Sequence, residues 1–427
     1  MEKWKEYKAT EFCQTVTDGT HDSPKPKDKG HYLITSKHLK DNGIDFNSAN
    51  YISEEDYIKI IARSKVEKYD ILFSMIGTIG NIVQVKAEDV DFAVKNIGIF
   101  KMGKNRLKSS WLLYWLKSPC AHEYVSQRLA GSTQSYLTLS SLRKFPVLYP
   151  GDSIANKIVT ILKSLDDKIE VNRRINDNLE QQAQALFKSW FVDFEPFRDQ
   201  PFVESELGMI PQGWRVGRYE EIIETTISGD WGKEKPEGNY IHKVACIRGC
   251  DFQDIKNGLR GKTPERYILE KNYQSKHFHH NDVLVEISGG TQTVSTGRVC
   301  PVSQLLIDKF NADIVCTNFC RVIRPIAAYA AYLYYSWLYK YNGKVMFGYE
   351  NGTSGIKNFR IKDFISVEPV VIPPADLLGK FQQFVDSVQL QIQTRGSESS
   401  RLASLRDNLL PRLMSGELKV NDLNTIK

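Results

Sequence analysis

One pattern runs through the chain twice, and a duplication of this length constrains the fold more than any single motif. Each half opens on a tryptophan, Trp4 in the first and Trp214 in the second. A turn-rich loop follows, residues 17–24 answered by 228–233. Strand-like segments 32–35 and 69–74 are then answered, in order, by 243–248 and 281–286. Glycine turns come next, Gly77 to Gly80 in one half and Gly289 to Gly290 in the other. Asn96 and Asn318 each precede a strand, and the aromatic stretch 111–115 matches 332–337. Polar loops at 131–134 and 352–355 precede the closing strands PVLYP and PVVIPP.

The two closing segments align without a gap from Pro150 and Pro373 onward. Loops would have gained or lost residues over such a span, so both segments are expected to be long helices. In the first, positions 158, 161, 165, 168, 172, 175, 179, 182 and 186 step alternately by three and four. Ile158, Ile161, Leu165, Ile175, Leu179 and Leu186 form an apolar seam, interrupted by Lys168, Asn172 and Gln182. This is a coiled-coil pattern in which polar seam residues set the register. The second helix repeats it with Phe381, Phe384, Val388, Leu402, Leu405 and Leu409. Residues 396–400 (GSESS) have poor helix propensity and predict a break there. Pro411 predicts an early end or a kink. Two copies of one unit favour antiparallel pairing of the helices, each of about 38 residues and so about 57 Å long, over the alternative of two exposed helices each packed on its own domain.

Composition narrows the class. The chain has 427 residues, 41% hydrophobic and 25% charged, which suits domains with real cores and excludes a disordered or fibrous chain. The most apolar stretch, 326–339, is too short for a membrane span and reads as a buried helix with Pro325 at its first turn. The charged N-terminal residues hold no signal core, and seven cysteines suit reduced thiols in a cytoplasmic protein. The net charge of +6 is concentrated on the globular parts. Residues 1–150 carry 22 basic against 17 acidic side chains, whereas 151–195 carry 6 against 8. Phosphate binding needs only a few well-placed cations per domain.

Catalytic motifs fall short. Gly261-Lys262-Thr263 lacks the earlier glycine of a phosphate loop, because Lys256 stands in its place. His122-Glu123 has no second histidine for zinc. Asp70 with Gln84 and Lys86 is a nuclease-like pattern that an alternating strand yields by chance. Cys246, Cys250, Cys316 and Cys320 are spaced more loosely than zinc pairs, so buried thiols are the favoured reading. His277, His279 and His280 fall in a polar loop, where solvated rings are the default. No catalytic or metal-ligating residue is therefore assigned.

Three strings carry a resemblance: residues 186–197 (LFKSWFVDFEPF), 206–214 (ELGMIPQGW) and 405–418 (LRDNLLPRLMSGEL). With the duplication, they make the whole chain resemble the DNA-specificity subunits of type I restriction-modification enzymes. The resemblance implies an α+β chain with two tandem α/β target-recognition domains. Two long conserved helices separate them and form an antiparallel coiled-coil pair with pseudo-two-fold symmetry. The expected division is 1–150 for the first recognition domain and 151–195 for the first helix. A linker at 196–213, a second recognition domain at 214–373 and a second helix with tail at 374–427 complete it.

On this resemblance each domain reads one half of a split sequence in double-stranded DNA, and the helices set the unread gap. The chain is non-catalytic. Two modification (methyltransferase) subunits carrying S-adenosylmethionine dock on the helices, and restriction/translocase subunits using ATP and Mg join them. Self-contained DNA methylation or cleavage, or a coiled-coil adaptor binding proteins, are the alternatives. Polar loops at equivalent places are the expected readers, because forked donors and amides distinguish bases. They are Thr20, His21, Lys37, Thr78, Ser132, Thr133, Gln134 and Ser135 in the first domain. In the second they are Trp231, Lys233, Arg248, Thr291, Gln292, Arg298, Thr353 and Ser354.

Overall fold

A computed structural model describes residues 4–40, 43–131, 135–291, 293–310, 312–352 and 355–420. The chain divides into two compact units, residues 1–167 with 403–427 and residues 168–402. Both long helices therefore contribute to both units.

In the first unit a four-stranded antiparallel sheet runs in the order Thr15–Asp18, Ile97–Lys101, Ile71–Ser74, Ile82–Gln84. A second sheet pairs His31–Thr35 with antiparallel Asn50–Ile52 on one side and parallel Phe92–Lys95 on the other. Lys5–Lys8 pairs with Pro146–Tyr149. The second unit repeats this plan from different residues. Its large sheet runs Ile223–Ser228, Cys320–Pro325, Val283–Glu286, Val299–Pro301. Its mixed sheet sets Tyr240–Ile247 between antiparallel Glu265–Leu269 and parallel Asp313–Cys316. Arg215–Arg218 pairs with Pro369–Ile372.

The repetition reaches single residues. Tyr69 and Asn281 both have left-handed backbones, with φ of 69° and 73°. The carboxylate that follows each is 1% exposed. Asp70 takes hydrogen bonds from the backbone of Glu67 and Met102 and pairs with Lys101 at 2.9 Å. Asp282 accepts both Nε and an Nη of Arg324 at 2.9 Å and the His279 amide at 2.7 Å. In both units the cation stands on the strand beside the carboxylate's own.

The first long helix spans Asp152–Phe191 and ends where Phe194 turns left-handed, at φ 53°. The second spans Ala375–Met414. Within each unit the two are antiparallel. Arg406 meets Asp166 at 2.7 Å in the first unit. In the second, Asn172 donates to Glu398 at 2.8 Å, Asn176 to the Ile392 carbonyl at 3.2 Å, and Phe191 packs edge-on against Phe381 at 5.1 Å.

The seam is shifted from the expected stripe. Ile158, Asn172, Phe381 and Val388 are buried, while Ile161, Leu165, Ile175, Leu179, Leu186, Phe384, Leu402 and Leu409 are half-buried. Lys168 and Gln182 are exposed, and Leu405, expected on the seam, is 48% exposed. Leu162, Asn176, Ala183, Phe187 and Val385 take the buried places instead. The cause is a second packing face. Phe187 also packs against Tyr332 and Tyr335 on the aromatic helix Ala330–Asn342, so the buried stripe lies between two partners. The proline before that helix also differs from expectation: Pro325 is the last residue of the Cys320–Pro325 strand, and a short turn separates it from the helix.

The expected break at 396–400 is absent, because the second helix is continuous there. A Cβ on Gly396 would lie 2.2 Å from the Gly258 carbonyl oxygen. The glycine is there for close approach of the turn after Phe252–Lys256. Ser397 and Ser400 bond back to carbonyls one turn earlier, at 2.9 and 3.1 Å. Pro411 likewise lies inside the helix, which runs on to Met414; Leu410, Leu413 and Met414 are buried in the first unit's core. Burial of that last turn outweighs one missing hydrogen bond.

Gly396→Ala separates these effects. Helix propensity alone favours alanine by about 1 kcal/mol. Overpacking against backbone costs about 1–3 kcal/mol or more. Thermal unfolding is expected to show a lowered Tm, whereas a raised one would mean that the turn simply moves aside.

Candidate nucleic-acid interface

In each unit the ends of the parallel strand pair collect the loops that sequence singles out. In the first, His31–Thr35 runs into a short turn, Ser36–His38, and Phe92–Lys95 ends at Asn96, which is left-handed at φ 55°. The Asn96 amide N–H donates to the Thr20 carbonyl at 3.1 Å, and Ser36 Oγ donates to the Asn96 carbonyl at 3.3 Å. His21 bridges Asn96 Oδ1 at 2.8 Å and the Asp18 carboxylate at 3.1 Å. The hairpin loop carrying Thr78 is closed by Ser74, which donates to the Thr78 carbonyl and accepts from Asn81. Asn81 in turn donates to Leu39 at 2.8 Å, tying this loop to the Ser36–His38 turn. Tyr136 bridges to Ile76 and Ala130, bringing Ser135 alongside.

His21, Lys37, Thr78 and Ser135 are exposed here. Thr20 is 8% exposed and its hydroxyl accepts from the Asp22 amide, so it holds the turn and presents nothing outward. Lys25, Lys27 and Lys29 are exposed on the adjoining loop. Ser132, Thr133 and Gln134 lie outside the described residues.

The second unit builds the same end with different chemistry. Tyr240–Ile247 runs into the turn Gly249–Asp251, and Asp313–Cys316 into residues 317–319. Gly19 and Gly229 occupy matching crossings: a Cβ would meet the Val94 carbonyl oxygen at 2.1 Å or that of Thr317 at 1.9 Å. Only glycine lets the incoming loop cross so close to the parallel strand. The Ile287 amide donates to the Phe319 carbonyl and the Phe359 amide to the Ile287 carbonyl, both at 2.8 Å, joining the 287–297 loop to the strand Lys357–Phe359.

Two arginines chosen as readers are engaged inside the fold. Arg298 grips Glu286 with two bonds of 2.6 and 2.7 Å. Arg248 grips Asp251 at 3.0 Å and donates to the Lys262 carbonyl at 2.7 Å. One edge of each guanidinium is held by a carboxylate, which leaves the other Nη as the donor that can face outward. Trp231 is half-buried beneath the Arg266 guanidinium, 3.7 Å from its ring. The Thr291 hydroxyl caps its own turn at Val294, 3.0 Å away. Lys233 is exposed. Gln292, Thr353 and Ser354 lie outside the described residues.

Three features escaped the sequence reading. Phe319 is 60% exposed at the tip, and Ile356, just before the 357–359 strand, is 66% exposed. Apolar residues in loops give no sequence signal of exposure. Asn96 is the second, although its place before a strand in both halves marks it. The third is a duplicated cluster at the opposite ends of the small sheets. His31 lies between Glu54 and Asp91 and stacks on Tyr57 at 3.8 Å; His242 lies between Glu270 and Asp313 and stacks on Tyr273 at 4.2 Å. The hydrogen bond to Glu54, above all, holds the His31 pKa above the ordinary histidine value.

Cys246, Cys316 and Cys320 are core residues, as are Cys13 and Cys300, whereas Cys250, expected to be buried, is exposed, as is Cys120. Burial pushes the Cys246, Cys300 and Cys320 thiols up to about 12, so they stay protonated and unreactive. Asp70 is bound to Lys101, Gln84 donates to Ser109, and Lys86 is exposed, so these three form no joint site. No helix among the described residues is long and apolar enough to cross a membrane.

A family model described as "Type I restriction modification DNA specificity domain" matches residues 1–181. The type I restriction enzyme MjaIX specificity subunit of Methanocaldococcus jannaschii is 30% identical over 327 residues, covering 75% of this chain and 71% of that protein. The HindI specificity subunit of Haemophilus influenzae is 25% identical over 411 residues, covering 84% and 88%. Among solved structures, the S subunit of a type I system from M. genitalium matches 96% of both chains at 15% identity, with a TM-score of 0.47. With its duplicated domains and paired helices, this chain belongs to the family of type I restriction enzyme specificity subunits.

Proposed function

We propose that the chain reads a split DNA sequence for a type I restriction-modification complex, one half with each globular domain. The supporting observation is that one sheet plan is built twice, with chemically different loops on the same strand ends. The first end presents His21, Lys37, Thr78 and Asn96, and the second presents Phe319 and Ile356. Such surfaces contact phosphates through exposed lysines and read bases through amides, hydroxyls and apolar contacts. In this reading the helix pair sets the unread gap. It also docks two modification subunits, which bring S-adenosylmethionine, and restriction subunits that use ATP and Mg. The chain itself supplies no chemistry.

The test is the methylation pattern of host DNA with the gene intact and deleted. Methylation at a two-part motif with a fixed gap is expected to disappear on deletion. An unchanged pattern would exclude the proposal, and methylation or cleavage by the purified chain alone would favour an enzyme instead.

A further inference from the structure

Apart from its DNA-facing ends, the second unit contains a polar cavity of about 380 Å³ between the first long helix, the short helix Phe252–Lys256 and the aromatic helix Ala330–Asn342. Cavities of this size hold small ligands, since one water needs only about 10–15 Å³ of such space.

Its lining holds two opposite charges, Lys256 and Glu180, neither of which forms a salt bridge among the described residues. Lys256 forms no hydrogen bond or ion pair among the described residues; its ammonium lies 5.9 Å from the centre of the Tyr334 ring. Glu180 accepts from Tyr335 and Gln184 at 3.1 Å and forms no salt bridge among the described residues; its charge reaches Lys256 only at longer range. The two belong to one cavity yet make no bond with each other. The other charges in the lining are neutralised locally: Asp177 by Arg173 at 2.6 Å, and Arg298 by Glu286.

The wall of the cavity is itself incompletely bonded. Asn176 is 3% exposed and lines the cavity. Its amide nitrogen donates to the Asn257 and Ile392 carbonyls at 3.2 Å, while its Oδ1 has no partner. Buried acceptors are almost always satisfied, and burying a lysine without a direct ion pair is costly. Desolvation accordingly holds the Lys256 pKa below the usual lysine value.

We propose that this cavity binds a small zwitterion of the free α-amino acid class. Its carboxylate pairs with Lys256, and its ammonium pairs with Glu180. A simple anion would leave Glu180 without a direct partner, and a simple cation would leave Lys256 so. A zwitterion satisfies both at once. Binding would brace the first long helix against the second domain, because Glu180 belongs to the helix and Lys256 to the domain.

Calorimetry of the full chain against L-alanine, L-leucine and L-glutamine tests this, with acetate and ethylamine as single-charge probes. At least one amino acid is expected to bind 1:1. Lys256→Met and Glu180→Gln should each weaken it by about tenfold or more, the scale of one charge-assisted hydrogen bond. Neither single-charge probe should match that affinity. Amide exchange of the unmodified chain supplies a readout that needs no variant: the amino acid should slow exchange around residues 176–180. No binding by any of the three amino acids at roughly 10 mM, a limit set by very weak affinity, would overturn the proposal. So would equal binding of acetate, or affinity unchanged in both variants.

Discussion

Replacing residues 1–150 with the corresponding domain of another specificity subunit is expected to change one half of the methylated sequence entirely and to leave the other half intact. Each domain has its own core: Trp111, Phe100 and Phe145 lie in one cluster, Trp337, Tyr219 and Phe364 in another. A foreign first domain therefore leaves the second domain's packing untouched. The expected effect is large, since specific sites are typically bound about 10³–10⁷-fold more tightly than non-specific DNA. The structure refines where to cut. Ile158, Leu162, Leu410 and Leu413 pack into the first domain's cluster. An exchange ending at residue 150 sets a foreign domain on this native helical surface, at a packing cost of about 1–3 kcal/mol. Carrying residues 151–167 and 403–420 along should restore stability without altering which half-sequence changes. Sequencing the methylated sites in cells gives the answer, and a change in both halves would refute separate reading.

Asp282→Ala is expected to destabilise the second domain severely. Removing one partner from a buried ion pair costs about 3–5 kcal/mol, because the other charge is stranded. That is a large share of the roughly 5–15 kcal/mol by which a domain is stable. Arg324 would keep only a 3.4 Å bond to the His277 carbonyl. The matching substitution Asp70→Ala should cost less, since Lys101 retains Glu67 at 2.6 Å and the Lys65 carbonyl at 2.7 Å. Urea unfolding of both variants tests the order, and equal losses would mean that these retained contacts contribute nothing.

Much of the architecture was legible because it rests on local and periodic information. The duplication, the strands around 71–74 and 283–286, and the presence of two long helices follow from patterning and from an alignment that tolerates no gap, although the second helix runs through the break expected at 396–400. The resemblance to a known family was carried by strings that local chemistry alone does not explain. The reading ends were legible only as loops. Thr20, Arg248 and Arg298 have the right chemistry, yet the Thr20 hydroxyl and one edge of each guanidinium are engaged within the fold. Phe319 has the wrong chemistry for a polar-loop rule, yet it is exposed.

By itself the sequence determined that one unit is used twice, where its helices and main strands lie, and to which family it belongs. These depend on spacing, and spacing is written in the chain. The tertiary structure decided which face of each helix is buried, because a helix packed against two partners obeys neither one's period alone. It decided that Gly396 is a point of close approach and not a break, since propensity knows nothing of the Gly258 carbonyl 2.2 Å from where a Cβ would stand. It also decided which polar groups are spent and which are left over. Whether Lys256 finds a carboxylate depends on residues far away in sequence, and no local pattern encodes that.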